Sequence, residues 1–193
     1  GGATPNEARD RCTACVVVLD AEGNAVSLIE SISAPYGSGI VAPGTGVLLN
    51  NRMAGFARKP GHPNALAPGK RPAHTLAPCL VLKDGVPRIS IGTPGTVGQT
   101  CVLAQILARI LACGQSPADA VAAPRWSVAL DGTPAVEKAM DAALVAALAK
   151  DIPELKTMPN GWITFGSVKI AAVTEGGFSG VADGRRIAAP VGV

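Results

Sequence analysis

The chain of 193 residues is long enough to form one domain with a substantial hydrophobic core. Its composition is 48% hydrophobic but only 3% aromatic, and 17 Lys and Arg against 14 Asp and Glu give a net charge of +3. The basic residues are scattered and have few aromatic neighbours, which argues against a nucleic-acid-binding protein. No run of about 18 apolar residues occurs, so no membrane partner is expected.

The five cysteines are an odd number, and several lie in apolar surroundings, which favours reduced, buried thiols and a cytoplasmic protein. A secreted or periplasmic location stays open, because a signal could precede the sequence given. Cys12 and Cys15 form a C-x-x-C motif, but it leads into a strand and has no second pair. Neither a redox motif nor a zinc site is favoured, and no cofactor is expected.

The first predicted elements form a β-hairpin. Residues 15–19 are an apolar, β-branched run typical of a strand buried on both faces. Residues 20–24 are turn formers, and residues 25–33 alternate as a second strand. Folding the strands together places Thr13 opposite Ser31, within one register step. A threonine at a strand start with a hydroxyl opposite suits an N-terminal nucleophile, although ordinary β-propensity is the commoner reason for a threonine there.

Two long loops follow the hairpin, over residues 34–46 and 52–72, with a short strand predicted between them at 47–51. Both loops are rich in Gly and Pro, which impose special backbone angles. Loops of this length within a small domain are usually functional.

The remaining elements follow the order strands, helices, strands. The patterns predict a hairpin over 76–91, helices over 99–113, 116–123 and 133–150, a strand near 126–130, and closing strands within 162–173 and 176–182. No βαβ alternation is seen, and this order favours a layered α+β domain over a doubly wound one.

Residues 92–98 form a G-x-x-G-x-x-G loop between a predicted strand and a helix. Its backbone N–H groups could bind a phosphate or stabilise an oxyanion, or the loop could be a simple connection. His62 and His74 lie in loops, and neither belongs to a pattern that would build a Ser-His-Asp set or a metal site.

Taken together, the motifs resemble the small subunit of the γ-glutamyltranspeptidase family. The resemblance runs through ordered blocks: Thr13 to Ser27, Tyr36 to Val41, Pro43 to Met53, Pro68 to Pro72, Gly92 to Gly95, Ala122 to Arg125 and Ala182 to Arg185. Residues 13–193 would then be one small-subunit domain, and residues 1–12 a lead-in or precursor linker.

The resemblance implies an N-terminal-nucleophile hydrolase with a four-layer αββα sandwich, made as a zymogen that cuts itself before Thr13. Thr13 would supply the nucleophilic hydroxyl and, through its freed amine, the general base. Ser31 stands where the family keeps a threonine that hydrogen-bonds the nucleophile, and Gly95 and Thr96 stand at the paired glycines of the oxyanion hole. The partner would be the large subunit from the same precursor, giving a heterodimer.

The departures from the family concern the substrate. Gly55 replaces the aspartate that binds the α-ammonium group, and Ser33 replaces an asparagine. His74-Thr75 replaces the family's pair of serines near the α-carboxylate, and Arg52 replaces an acidic or amide residue. The resemblance therefore implies retained chemistry with lost γ-glutamyl recognition, and a small-molecule substrate with an acidic group but no neighbouring ammonium.

One subgroup of the family acts in actinobacterial antibiotic pathways that make alkylproline units, where it is thought to cleave a carbon–carbon bond next to a carbonyl. Similarity to this subgroup is the sharpest hypothesis. The alternatives are an ordinary γ-glutamyl or other amide hydrolase or transferase, and an unprocessed, non-catalytic homologue in which the residues before Thr13 stay attached. An anion-binding module built on residues 92–98 is a further alternative.

Overall fold

The structure, a computed structural model, describes residues 13–129 and 131–192. Two compact units divide the chain. Of the described residues, 13–14 and 30–75 belong to the loop unit, and 15–29, 76–129 and 131–192 belong to the sheet unit. Among the described residues, no helix has both the length and the apolar character that a membrane crossing requires.

The regular elements lie mainly in the sheet unit. In chain order they are β1 (Ala14–Leu19), β2 (Ala25–Glu30), β3 (Cys79–Lys83), β4 (Val86–Gly92), α1 (Gln99–Leu111), α2 (Pro117–Ala122), β5 (Trp126–Val128), β6 (Pro134–Glu137), α3 (Ala142–Asp151), β7 (Lys156–Met158), β8 (Lys169–Thr174) and β9 (Gly177–Ala182). The described strands form three sheets, with orders β1-β2, β3-β4-β8-β9 and β5-β6-β7.

Strand β4 carries different contacts on its two faces. Ile89 and Ile91 face α1 and α2 within the main hydrophobic cluster. On the opposite face, the Ser90 hydroxyl donates to the backbone oxygen of Val26 at 2.5 Å. A Cβ added to Gly92 on that same face would lie 3.3 Å from Ser27 Oγ. The sheet unit therefore stacks helices, the four-stranded sheet and the β1-β2 sheet, which confirms the α+β class.

The prediction that residues 15–19 are buried on both faces is wrong. Burial alternates along β1 and β2, and the outward side chains are half exposed: Val16 51%, Val18 45%, Val26 48% and Leu28 54%. Only the inward face packs on the four-stranded sheet. We call these four outward side chains the outer apolar face.

The predicted helix over 133–150 is wrong in its first half. Residues 134–137 form β6, and the helix begins after Asp141, whose carboxylate accepts the Leu144 N–H at 2.8 Å. Strand β6 pairs antiparallel with β5 and parallel with β7, and α3 connects the parallel pair. One βαβ unit is thus present, contrary to the predicted order, and β7 was not predicted.

Two further strand predictions need correction. Residues 47–51 contribute only an isolated bridge, in which Leu48 pairs with Val41. The first closing strand begins at Lys169, because residues 163–165 form a 3-10 turn that ends at Gly166 with φ 70°. The predicted β3–β4 hairpin, helices α1 and α2, and the last strand are confirmed.

Candidate functional site

Thr13 directly precedes β1 and is half-buried. The turn between β1 and β2 is closed by a hydrogen bond from Asp20 N–H to the Asn24 carbonyl at 3.1 Å. The Asp20 carboxylate also accepts the Asn24 N–H at 2.8 Å and the Asn24 side-chain amide at 2.8 Å. The turn chemistry predicted for this segment is therefore present, and it fixes how the two strands begin to pair.

Ser31 and Ser33 lie just after β2, in the loop unit, and contact one another. The Ser33 N–H donates to Ser31 Oγ at 3.1 Å, and Ser33 has a left-handed backbone with φ 77°. Asn51 holds this segment, because its side-chain oxygen accepts the Ala34 N–H at 3.0 Å and its own N–H donates to the Ile32 carbonyl at 3.3 Å. Asn51 was not predicted as a site residue, although its place before a turn was a usable signal.

A 3-10 turn over Arg52–Gly55 follows directly. The Arg52 N–H donates to Asn50 Oδ1 at 3.0 Å, and the Gly55 carbonyl accepts the Asn64 side-chain amide at 2.9 Å. A Cβ built on Gly55 would meet nothing within 4 Å. The position where the family carries an aspartate is therefore open space in this chain.

His74 and Thr75 close the loop unit. His74 is exposed and Thr75 is half-buried. The structure thus places Ser31, Ser33, Arg52, Gly55 and these two residues in one unit, while Gly95 and Thr96 belong to the sheet unit.

The Gly95–Thr96 turn connects β4 to α1 and has an unusual backbone. Gly95 has φ 147° and Thr96 has φ 51°, a left-handed conformation that is costly for a β-branched residue. Within residues 13–129 and 131–192, no acceptor receives the N–H of either residue. The Thr96 hydroxyl is also buried, with no hydrogen-bond partner in that same part of the chain. Two adjacent unsatisfied N–H donors are what an oxyanion hole requires.

Close packing holds this turn. A Cβ on Gly95 would lie 3.2 Å from Gly166 Cα, and a Cβ on Gly98 would lie 2.0 Å from the Thr164 carbonyl oxygen. The buried Thr93 hydroxyl accepts the Ser167 N–H at 3.0 Å and donates to the Pro94 carbonyl at 2.6 Å. The backbone of the turn is therefore fixed from both sides, which pre-organises its free donors.

A buried charged cluster lies elsewhere in the sheet unit. Arg125 pairs with Asp183 at 2.7 Å, and Arg185 pairs with Glu137 at 2.6 Å and with Asp183 at 3.1 Å. Burial by itself raises the pKa of Asp183, but the Arg125 guanidinium and backbone N–H groups bring it below its ordinary value. The cluster links two of the blocks that carry the family resemblance, those ending at Arg125 and Arg185.

The described cysteines are free. Cys15, Cys79 and Cys101 are half-buried and Cys113 is exposed, so burial is less complete than predicted. Burial raises the pKa of the Cys15 thiol, an effect that Lys169 partly offsets. Cys12, and with it the C-x-x-C motif, lies outside the described residues. Across the described part, no three His, Cys, Asp or Glu side chains are grouped to hold a metal ion.

Sequence comparison gives three informative relatives. A glutathione hydrolase-like proenzyme of Bacillus subtilis is 45% identical over 59% of this chain and 22% of its own length. An oxamate amidohydrolase proenzyme of Klebsiella pneumoniae is 40% identical over 65% of the chain and 23% of its length. An acylase ACY 1 proenzyme of a Pseudomonas species is 32% identical over 94% of the chain and 32% of its length. The chain thus spans a fifth to a third of these relatives.

Structural comparison agrees with the sequence comparison. A cephalosporin acylase from Bacillus halodurans matches with TM-score 0.78 and 31% identity, over 93% of this chain and 34% of that one. An acivicin-inhibited γ-glutamyltranspeptidase matches with TM-score 0.75 and 31% identity, over 89% and 98%. The protein LmbA2991HD matches with TM-score 0.61 and 26% identity, over 72% and 27%. A family model described as gamma-glutamyltranspeptidase covers residues 2–193, and the chain therefore belongs to the γ-glutamyltranspeptidase family.

Proposed function

We propose that this chain is the small, catalytic subunit of an N-terminal-threonine hydrolase or acyl transferase with Thr13 as the nucleophile. The observation that carries this proposal is the Gly95–Thr96 turn, whose two adjacent N–H groups have no acceptor in the described chain. Such donors are worth roughly 3–4 kcal/mol each toward an oxyanion.

In the proposed reaction the Thr13 hydroxyl attacks a carbonyl carbon and passes its proton to the freed Thr13 amine. The oxyanion accepts hydrogen bonds from the Gly95 and Thr96 N–H groups. As it collapses, the bond to the leaving group breaks and the Thr13 ammonium gives that group its proton. Water or an amine then attacks the acyl-enzyme and releases the acyl group from Thr13. Ser31 would orient the Thr13 hydroxyl. Thr13 lies seven residues before Asp20 and Ser31 seven residues after Asn24, so an unbroken ladder continued from the Asp20–Asn24 pair would put the two opposite one another.

The proposed partner is a large subunit cut from the same precursor. The relatives that support it are named proenzymes, and each is three to five times longer than the part of it that this chain matches. This partner would cover the outer apolar face with a further layer. Val16, Val18, Val26 and Leu28 are each about half exposed there, which is unusual for four neighbouring aliphatic side chains. The three layers of the sheet unit would become the four-layer αββα sandwich.

The proposed substrate carries an acidic group without a neighbouring ammonium. The open space at Gly55 leaves nothing to bind an ammonium there, while Arg52 and His74 favour an anion. Ser33 and Thr75 would supply hydroxyl contacts. The relative named oxamate amidohydrolase supports an acyl group of this kind, because oxamate has a carboxylate directly beside its amide carbonyl.

The sharper form of the proposal is cleavage of a carbon–carbon bond next to a carbonyl, in the making of an alkylproline-type antibiotic unit. Thr13 would attack the carbonyl, the leaving carbon would take a proton, and water would release the acid. Ordinary amide hydrolysis is the second candidate, favoured by relatives named glutathione hydrolase and acylase.

The test begins with the full-length precursor, left to mature and measured by intact mass. We expect a new chain that begins at Thr13, and none from Thr13→Ala; a precursor that never cleaves would support a non-catalytic homologue. The matured protein is then assayed with a γ-glutamyl anilide and an oxalyl anilide. We expect faster turnover of the oxalyl substrate, and Gly55→Asp should shift the ratio toward the γ-glutamyl substrate. Faster γ-glutamyl turnover by the unsubstituted protein would overturn the proposed substrate.

A further inference from the structure

One long segment of the chain carries basic residues and no acidic ones. Residues 31–83 contain six lysines and arginines and no aspartate or glutamate. In the loop unit, Arg58, Lys59, Lys70 and Arg71 are exposed. None of the ion pairs among the described residues includes any of them. A stretch of cations without matching carboxylates raises the local concentration of anions.

Two of these cations border a pocket within the loop unit. The pocket has a volume of about 560 Å³ and is lined by Arg58 and Lys59 together with apolar side chains, among them Met53, Phe56 and Leu66. This volume is typical of sites for small molecules, which combine an apolar wall with a few polar groups. Met53 and Leu66 are 62% and 59% exposed, so their apolar surface is available to a ligand.

Lys70 holds the pocket wall. Its ammonium group donates to the carbonyls of Pro63 and Ala65, the latter at 3.0 Å, and lies 6.0 Å from the centre of the Phe56 ring. The Ala57 N–H also donates to the Asn64 carbonyl at 2.8 Å. The two sides of the pocket are therefore tied together before any ligand arrives, which lowers the entropic cost of binding.

We propose that this pocket binds a small carboxylate with an apolar body. Arg58 and Lys59 would bind the carboxylate, and Met53 and Leu66 would contact the apolar part. Neither Arg52, Gly55 nor His74 lines the pocket, so it is distinct from the proposed acyl-binding residues. The inference does not depend on Thr13 or on its cleavage, and binding can be measured without turnover.

The experiment uses the full-length protein and two matched probes, 4-phenylbutanoate and its neutral amide, with calorimetric titration at low salt. We expect the carboxylate to bind at least ten-fold more tightly than the amide, and its affinity to fall several-fold in 0.3 M NaCl. Arg58→Gln and Lys59→Gln should each weaken carboxylate binding about five-fold and leave amide binding unchanged. Leu66→Asn should weaken both probes.

The control is Arg88→Gln, which removes an exposed cation from β4 in the sheet unit. It should leave both affinities unchanged, because Arg88 does not line the pocket. Equal affinity for the two probes would overturn the role of the cations. An equal loss of carboxylate affinity in Arg88→Gln would show that the attraction comes from the overall charge and not from the pocket. Absence of saturable binding would show that the large subunit or another segment fills the pocket. Either result overturns the proposal. Thermal melting of each variant verifies that the fold is retained.

Discussion

Arg125 Nη2 and Asp183 Oδ2 lie 2.7 Å apart, and both side chains are about 1% exposed. Asp183→Asn would leave the Arg125 guanidinium buried without its counter-charge. We expect a loss of about 3–5 kcal/mol in the free energy of unfolding, measured by urea denaturation. Asp151→Asn, at an exposed position ending α3, should change stability by less than about 0.5 kcal/mol. Equal losses would contradict the buried pair.

Acid should unfold the protein through the same cluster. Despite burial, the pKa of Asp183 and of Glu137 is lowered in the folded state, mainly by Arg125 and by Arg185 respectively. A carboxyl group whose pKa is lower in the folded state than in the unfolded state stabilises the fold at any pH above its unfolded pKa, which is about 4. This stabilisation is lost as the pH falls through the pKa of the folded state. Unfolding midpoints measured between pH 7 and 3 should therefore fall steeply below about pH 4. Asp183→Asn should flatten this dependence.

Thr96→Gly should stabilise the protein by about 1 kcal/mol. The substitution relieves a left-handed threonine with φ 51° and removes a buried hydroxyl that has no hydrogen-bond partner among the described residues. Thr100→Gly, at an exposed position inside α1, is the matched control and should destabilise by a few tenths of a kcal/mol, about the propensity difference. A shift of the urea midpoint downward in Thr96→Gly would show that the threonine side chain makes a favourable contact.

Gly98→Ala should destabilise by about 3 kcal/mol, because the new methyl group would sit 2.0 Å from the Thr164 carbonyl oxygen. Gly98 has φ −79°, so the effect is steric and not conformational. Gly55→Ala is the control, since its methyl group would meet nothing within 4 Å. Similar melting temperatures for the two variants would rule out the close packing described for the turn.

Lys70→Met should loosen the wall of the loop-unit pocket while keeping most of the hydrocarbon chain. We expect hydrogen exchange at the Ala57 amide, which is bonded to Asn64, to quicken about five-fold. Lys83→Met, an exposed change in β3, should leave that amide unaffected. Unchanged exchange in Lys70→Met would mean that the ammonium group does not hold the loop.

Local signals in the sequence were enough to predict much of the fold. Ser116 followed by Pro117 and Asp119 indicated the start of α2, and the turn-forming residues 83–85 between two apolar runs indicated the β3–β4 hairpin. Strand β6 was missed because its short, Ala-containing sequence resembles the helix that follows. Its buried Glu137 is satisfied by Arg185, far along the chain, and local pattern cannot reveal such a partner.

The residues of the candidate site were predicted from the family resemblance and not from local sequence patterns. Gly95 and Thr96 were identified from the family resemblance, and the backbone angles then gave a physical reason to suspect them. Asn51 was overlooked because its importance depends on two hydrogen bonds to residues 32 and 34, brought near only by the folded loop. The roles of Thr13 and Ser31 stay predictions that the maturation experiment addresses.

The outer apolar face, formed by Val16, Val18, Val26 and Leu28, affects how this protein can be produced. A two-stranded sheet with one exposed apolar face is prone to aggregate with other copies of the same chain. In the proposed maturation, the chain is made as part of one continuous precursor and the backbone is cut only after folding, which would keep this face covered throughout. If the two proposed subunits were instead expressed as separate chains, the outer apolar face would be exposed before they assemble. We expect the small subunit to form inclusion bodies under those conditions.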